Sequence, residues 1–88
     1  MAEKKYLGTI TILVKDRQMH AKDVQQMLTD NGHLVIARMG VNVQPACIDH
    51  CTGLITVALK GSIKEIKELG KKIDSLYGIV AKTVIVSD

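Results

Sequence analysis

GTITILVK at residues 8–15 and GLITVALK at residues 53–60 are two versions of one eight-residue phrase. In the first, Ile10, Ile12 and Val14 alternate with Thr9, Thr11 and Leu13. In the second, Ile55, Val57 and Leu59 alternate with Leu54, Thr56 and Ala58. A period of two written in β-branched residues predicts a half-buried strand in each place. Each phrase runs on into a helical pattern, a glycine and another β-branched stretch. The chain therefore reads as a duplicated βαβ unit, residues 6–43 and 52–86. Right-handed crossovers place both helices of such a pair on the same face. The expected fold is an α+β, ferredoxin-like βαββαβ sandwich, with a four-stranded antiparallel sheet and two helices on one face, in a single domain over residues 1–88.

The local signals fill in this frame. A first strand is expected over residues 6–15, and Asp16 then stands where a helix N-cap oxygen is needed. Ala21, Val24 and Leu28 recur at helical spacing with Met27 beside them, and Asn31-Gly32 supplies a left-handed stop. Residues 33–43 predict the second strand, with Val35, Ala37, Met39 and Val41 on one side and Leu34, Ile36 and Arg38 on the other. The charge of Arg38 marks the second set as the open face. After the third strand, residues 52–60, Ser62 and Glu65 have the spacing of a capping box. Ile66, Leu69, Ile73 and Leu76 follow on one helical face, Gly78 ends the helix, and residues 79–86 form the last strand with Lys82 on its open side.

Composition narrows the class. The 88 residues are 47% apolar yet contain no Phe or Trp, so the core must be aliphatic. The net charge is +3, and Lys64, Lys67, Lys71 and Lys72 gather on one helix as a solvated face, not as a nucleic-acid footprint. A polar MAEKK start, two cysteines and no long apolar run point to a reducing, cytoplasmic setting with no membrane partner and no structural disulfide. The sheet face opposite the helices reads as Thr9, Thr11, Leu13, Ile36, Leu54, Thr56, Ala58, Val84 and Val86, too apolar to face water. This predicts a homo-oligomer through that face or the edge strands, with a further protein partner as another occupant.

The repeat does not account for residues 38–53, RMGVNVQPACIDHCTG. This connection holds the single proline, both cysteines and one of three histidines. Cys47, His50 and Cys51 are ligand types that zinc, nickel or iron could use. The plainer reading packs Cys51 at the start of the third strand and leaves Cys47 in a loop, because the spacing is not that of a zinc ribbon or knuckle; a reversible Cys47–Cys51 disulfide is a third. Arg38 is a candidate for anion binding or an intersubunit ion pair. Gly40 and Gly53 bracket the connection, suited to bulges or close backbone approach at a ligand or interface. His20 and His33 flank the first helix and are read as surface residues.

No Ser-His-acid arrangement, paired carboxylates or phosphate-binding glycine loop is present, so the chain is read as non-enzymatic. The open face lacks the stacking aromatics of an RNA-binding sheet. Lys15-Asp16-Arg17 stands where a soft-metal chaperone would place cysteines, or an acylphosphatase its phosphate-cradling loop.

Taken together, Lys15-Asp16-Arg17, Arg38-Met39-Gly40-Val41, Leu69-Gly70-Lys71 and Gly78-Ile79-Val80-Ala81-Lys82-Thr83 occur in an order and spacing that resemble the small ACT-like domains of iron-only hydrogenase system regulators. The resemblance covers nearly the whole chain. It implies a ferredoxin-like fold, similar to ACT domains and to the ligand-binding domain of the nickel-responsive repressor, and a regulatory or ligand-sensing role linked to iron-only hydrogenase expression or maturation. It carries no established catalytic or ligand residues. Two departures stand out: the turn after the first strand lacks the glycine of amino-acid-binding ACT domains, and only a few residues precede that strand, too few for the repressor's DNA-binding segment.

Overall fold

The computed structural model describes residues 4–43 and 51–87. Six elements follow in the order β1 (Tyr6–Val14), α1 (Arg17–Asp30), β2 (Val35–Asn42), β3 (Gly53–Gly61), α2 (Ile63–Asp74) and β4 (Ile79–Ser87). The strands form one sheet in the order β2-β3-β1-β4, every pairing antiparallel, which is the ferredoxin-like arrangement.

The two repeated phrases lie side by side at the centre of this sheet. Ile10 stands opposite Val57 and Ile12 opposite Ile55. Their core-facing side chains meet Val24 and Leu28 of α1 and Ile66, Leu69 and Ile73 of α2 in one aliphatic cluster. Ile10, Ile12, Val57 and Leu59 are fully buried. Truncating one of the larger of them to alanine leaves a cavity in this core, at a cost of about 2–5 kcal/mol.

Both helix starts behave as their sequences require. The Asp16 side chain accepts from the Met19 amide at 3.4 Å. At α2 the box is complete: the Glu65 amide donates to Ser62 Oγ at 3.1 Å and the Ser62 amide donates to Glu65 Oε1 at 3.0 Å. Gly78 has φ +76, a left-handed residue turning the chain from α2 into β4. The end of α1 differs from expectation. Gly32 is not left-handed, and Asn31 closes the helix through its own amide and side-chain Nδ2, both donating to the Met27 carbonyl.

The second strand also corrects its sequence reading. Val35 stands opposite Leu59 and faces the core, but a bulge between Val35 and Ala37 shifts the phase. Beyond it Ala37, Met39 and Val41 stand opposite Ala58, Thr56 and Leu54 on the open face, whereas Arg38 and Gly40 stand opposite Val57 and Ile55 on the helix side. By register Arg38 is therefore a helix-side residue, although at this sheet edge it also borders a depression of the open face. The alternation misled because β2 is an edge strand: residues 36–41 are exposed on both of its faces, so no burial pattern identifies the inner one.

Candidate functional site

Two surfaces of this fold are candidates for recognition. The first is the open face of the sheet, where the register arranges side chains in rows across all four strands. Val41, Leu54, Leu13 and Val80 form one row; Met39, Thr56, Thr11 and Lys82 the next; Ala37, Ala58, Thr9 and Val84 the third. Lys82 is the one charged residue in these three rows. Met39 is 63% exposed and Val84 54%. From strand spacing and rise, the rows cover roughly 400 Å² per face, within the range of the largest apolar patch on a typical monomer.

The second surface is a groove of about 270 Å³ on the helix side, between α1 and the β2–β3 edge. Arg17, Ala21 and Gln25 line it from α1, Gly40 from β2, and Gly53 and Ile55 from β3. The stem of Arg17 crosses Gly53 closely: a Cβ there would stand 3.5 Å from Arg17 Cβ and 3.7 Å from its Cδ. The Nε of Arg17 is buried and has no hydrogen-bond partner among the described residues. The groove is fastened at one corner by two hydrogen bonds to Cys51. The Arg17 amide donates to the Cys51 carbonyl at 2.8 Å, and the Cys51 amide donates to Gln18 Oε1 at 3.4 Å.

The structure brings together two of the three residues proposed from sequence, Gly40 and Gly53, and leaves Arg38 outside this groove. Arg38 instead borders a shallow depression with Ala37, Met39 and Thr56. Sequence reading missed Arg17 and Gln25. One signal was available: Arg17 opens α1, a position where the helix dipole favours an acid over a cation. A residue that breaks a local preference is where a function outside the helix is expected.

Cys51 is completely buried just ahead of β3, as its plainer reading expected. It is also disulfide-bonded, which corrects the expectation of no disulfide. That expectation came from composition, which does not report how near two thiols stand. Cys47 and His50 lie outside the described residues, and among the described residues no group of three His, Cys, Asp or Glu side chains is placed to hold a metal ion.

Two other polar clusters have structural work. His33 Nε2 and Lys5 Nζ each lie 4.0 Å from Glu65, whose carboxyl is held below its ordinary value. The main cause is the hydrogen bond from the Ser62 amide, then that with the Ser62 side chain, with weaker help from Lys5 and His33. His20 meets Tyr77 edge to face at 5.4 Å beside Gly78.

The segments that carry the family resemblance pair up in space. Arg17 of the first and Gly40 of the second line one groove. Gly70 of the third packs directly on Thr83 of the fourth.

Comparison with known proteins agrees with this arrangement. Residues 6–83 match the model of the TM1266-like family, described as "Iron-only hydrogenase system regulator, putative". Among solved structures, the uncharacterized protein TM1266 from Thermotoga maritima superposes with a TM-score of 0.82 at 25% identity, over 94% of this chain and 99% of that one. CPII from Thiomonas intermedia K12, solved with ADP, AMP and acetate bound, superposes at 0.52 with 14% identity, over 97% of this chain and 91% of that one, a likeness of fold. No protein with a curated description matches the chain.

Proposed function

The chain belongs to the TM1266-like family of iron-only hydrogenase system regulators, and on that premise we propose that it is a non-enzymatic, oligomeric regulatory module that senses a small ligand. The observation that carries the reading is the open sheet face. Three rows of side chains across four strands contain a single charge, and a face of that composition in water favours association. A standard interface takes about 800 Å² from each partner. The three rows supply roughly half of that, so self-association extends to the exposed Leu7 and Val86 at their border. The groove beneath α1 gives the module a separate place for a ligand, joined to the assembly face through β2 and β3. The link to the iron-only hydrogenase system comes from the family's description, and its expression or maturation is the step such a module would regulate.

Sedimentation velocity across the micromolar range tests the reading. A concentration-dependent or constant oligomer is the expected result. A monomer throughout, with no small molecule raising the melting temperature, would remove its basis.

A further inference from the structure

We infer that the groove between α1 and the β2–β3 edge binds a small aliphatic carboxylate, with the Arg17 guanidinium as its anchor. This rests on the ligand-sensing reading and names the chemistry it requires.

The argument begins with an unmet requirement. A guanidinium nitrogen removed from water without an acceptor is costly, and buried polar groups are nearly always paired. Among the described residues Arg17 Nε has no such partner, on a side chain that lines an open groove. Among the described residues no Asp or Glu lines that groove, so none of these walls answers the positive charge. Arg17 as a whole is only half-buried, and an anionic group entering the groove would meet its guanidinium from the open side.

The remaining walls select the body of the ligand. Val14, Ala21 and Ile55 are aliphatic, and the Gln25 amide adds one further polar partner. Gly40 keeps the β2 side open: a Cβ there would stand 4.0 Å from Ile55 Cγ1, the nearest atom. At about 270 Å³ the space lies at the small end of ligand pockets. One guanidinium fork and one amide match the planar, singly charged carboxylate. A phosphate carries more charge and more acceptor oxygens than these walls answer. The surroundings therefore favour a carboxylate on a short, branched or straight hydrocarbon.

Calorimetric titration of the full chain with isovalerate, with its neutral amide isovaleramide and with inorganic phosphate tests this, each sample being sedimented in the same buffer. Isovalerate is expected to bind and raise the melting temperature, with isovaleramide at least about ten-fold weaker. Arg17→Lys should weaken isovalerate at least about ten-fold, since a point charge replaces the fork. Gly40→Val should abolish binding by filling the groove, with an unchanged circular dichroism spectrum. No heat and no melting shift with isovalerate, binding of phosphate instead, or unaltered binding by both variants would each overturn the inference. An oligomer that ignores isovalerate defeats this inference alone, and a monomer that binds it defeats only the assembly half of the functional reading.

Discussion

Replacing Gly70 by alanine sets two known effects against each other. In an isolated helix the change is favourable by about 1 kcal/mol, because alanine is the better helix former. Here the added Cβ would collide with the Thr83 hydroxyl and stand 3.1 Å from Thr83 Cβ and 3.4 Å from its Cγ2. Thr83 cannot retreat, because it lies within the β1–β4 ladder opposite Ile10. Rotating χ1 removes one of its heavy atoms from the path, but the Cβ to Cβ approach remains. The helix cannot lift freely either, since Ile66, Leu69 and Ile73 hold it to the sheet. Overpacking of this kind costs about 1–3 kcal/mol, which outweighs the propensity gain. Gly70→Ala should therefore be destabilised by about 1 kcal/mol, lowering the melting temperature by roughly 4–8 °C for a domain of this size. Urea denaturation should show a lower midpoint with an unchanged slope. Adding Thr83→Ala should recover more than half of the loss, a coupling that a double-mutant cycle measures. A Gly70→Ala protein as stable as the native one, or a purely additive cycle, would refute the close packing of α2 on β4.

Four further outcomes follow from particular contacts. Ser62→Ala removes the cap of α2 and should cost about 1 kcal/mol in urea denaturation. Glu65 has a depressed carboxyl in the folded state, so the unfolded chain binds its proton more readily; the stability it contributes is present at neutral pH and is lost as pH falls below about 4.5, and Glu65→Gln should flatten that slope in acid denaturation. Thr56→Glu places a charge in the middle row of the open face and should shift the sedimentation distribution toward monomer while leaving the far-ultraviolet spectrum unchanged. Gly78→Ala forces a side chain into left-handed backbone at φ +76 and against His20, and should lower stability by about 1–3 kcal/mol in thermal denaturation.

The central strands and both helix starts were legible because their causes are local or periodic. Ile10, Ile12 and Val14 announce one buried face by alternation, and Ser62 with Glu65 announces a helix start at fixed spacing. The second strand was harder. One extra residue at a bulge reverses every side chain that follows, and nothing in VIARMGVN marks the place. Arg38, a candidate on the open face by counting, stands on the helix side of the ladder for that reason. The stop of α1 was misread on a similar ground: Asn31-Gly32 permits a left-handed turn, yet the Asn31 side chain satisfies the same carbonyl without one.

The candidate site divides along the same line. By itself, the sequence determined that two βαβ halves share one sheet, that the core is aliphatic, that one sheet face is too apolar for water, and that the unrepeated connection carries the unusual residues. These are properties of composition and period, which survive in one dimension. Tertiary structure alone decided that Arg17, eight residues from Gln25 and far along the chain from Gly40 and Gly53, shares one groove with all three. It also decided that Arg17 Nε is buried without an acceptor among the described residues. The physical reason is that a missing partner is a relation among atoms in space. A chain written in one dimension shows which groups can donate, and only the folded chain shows which of them have been left with nothing to donate to.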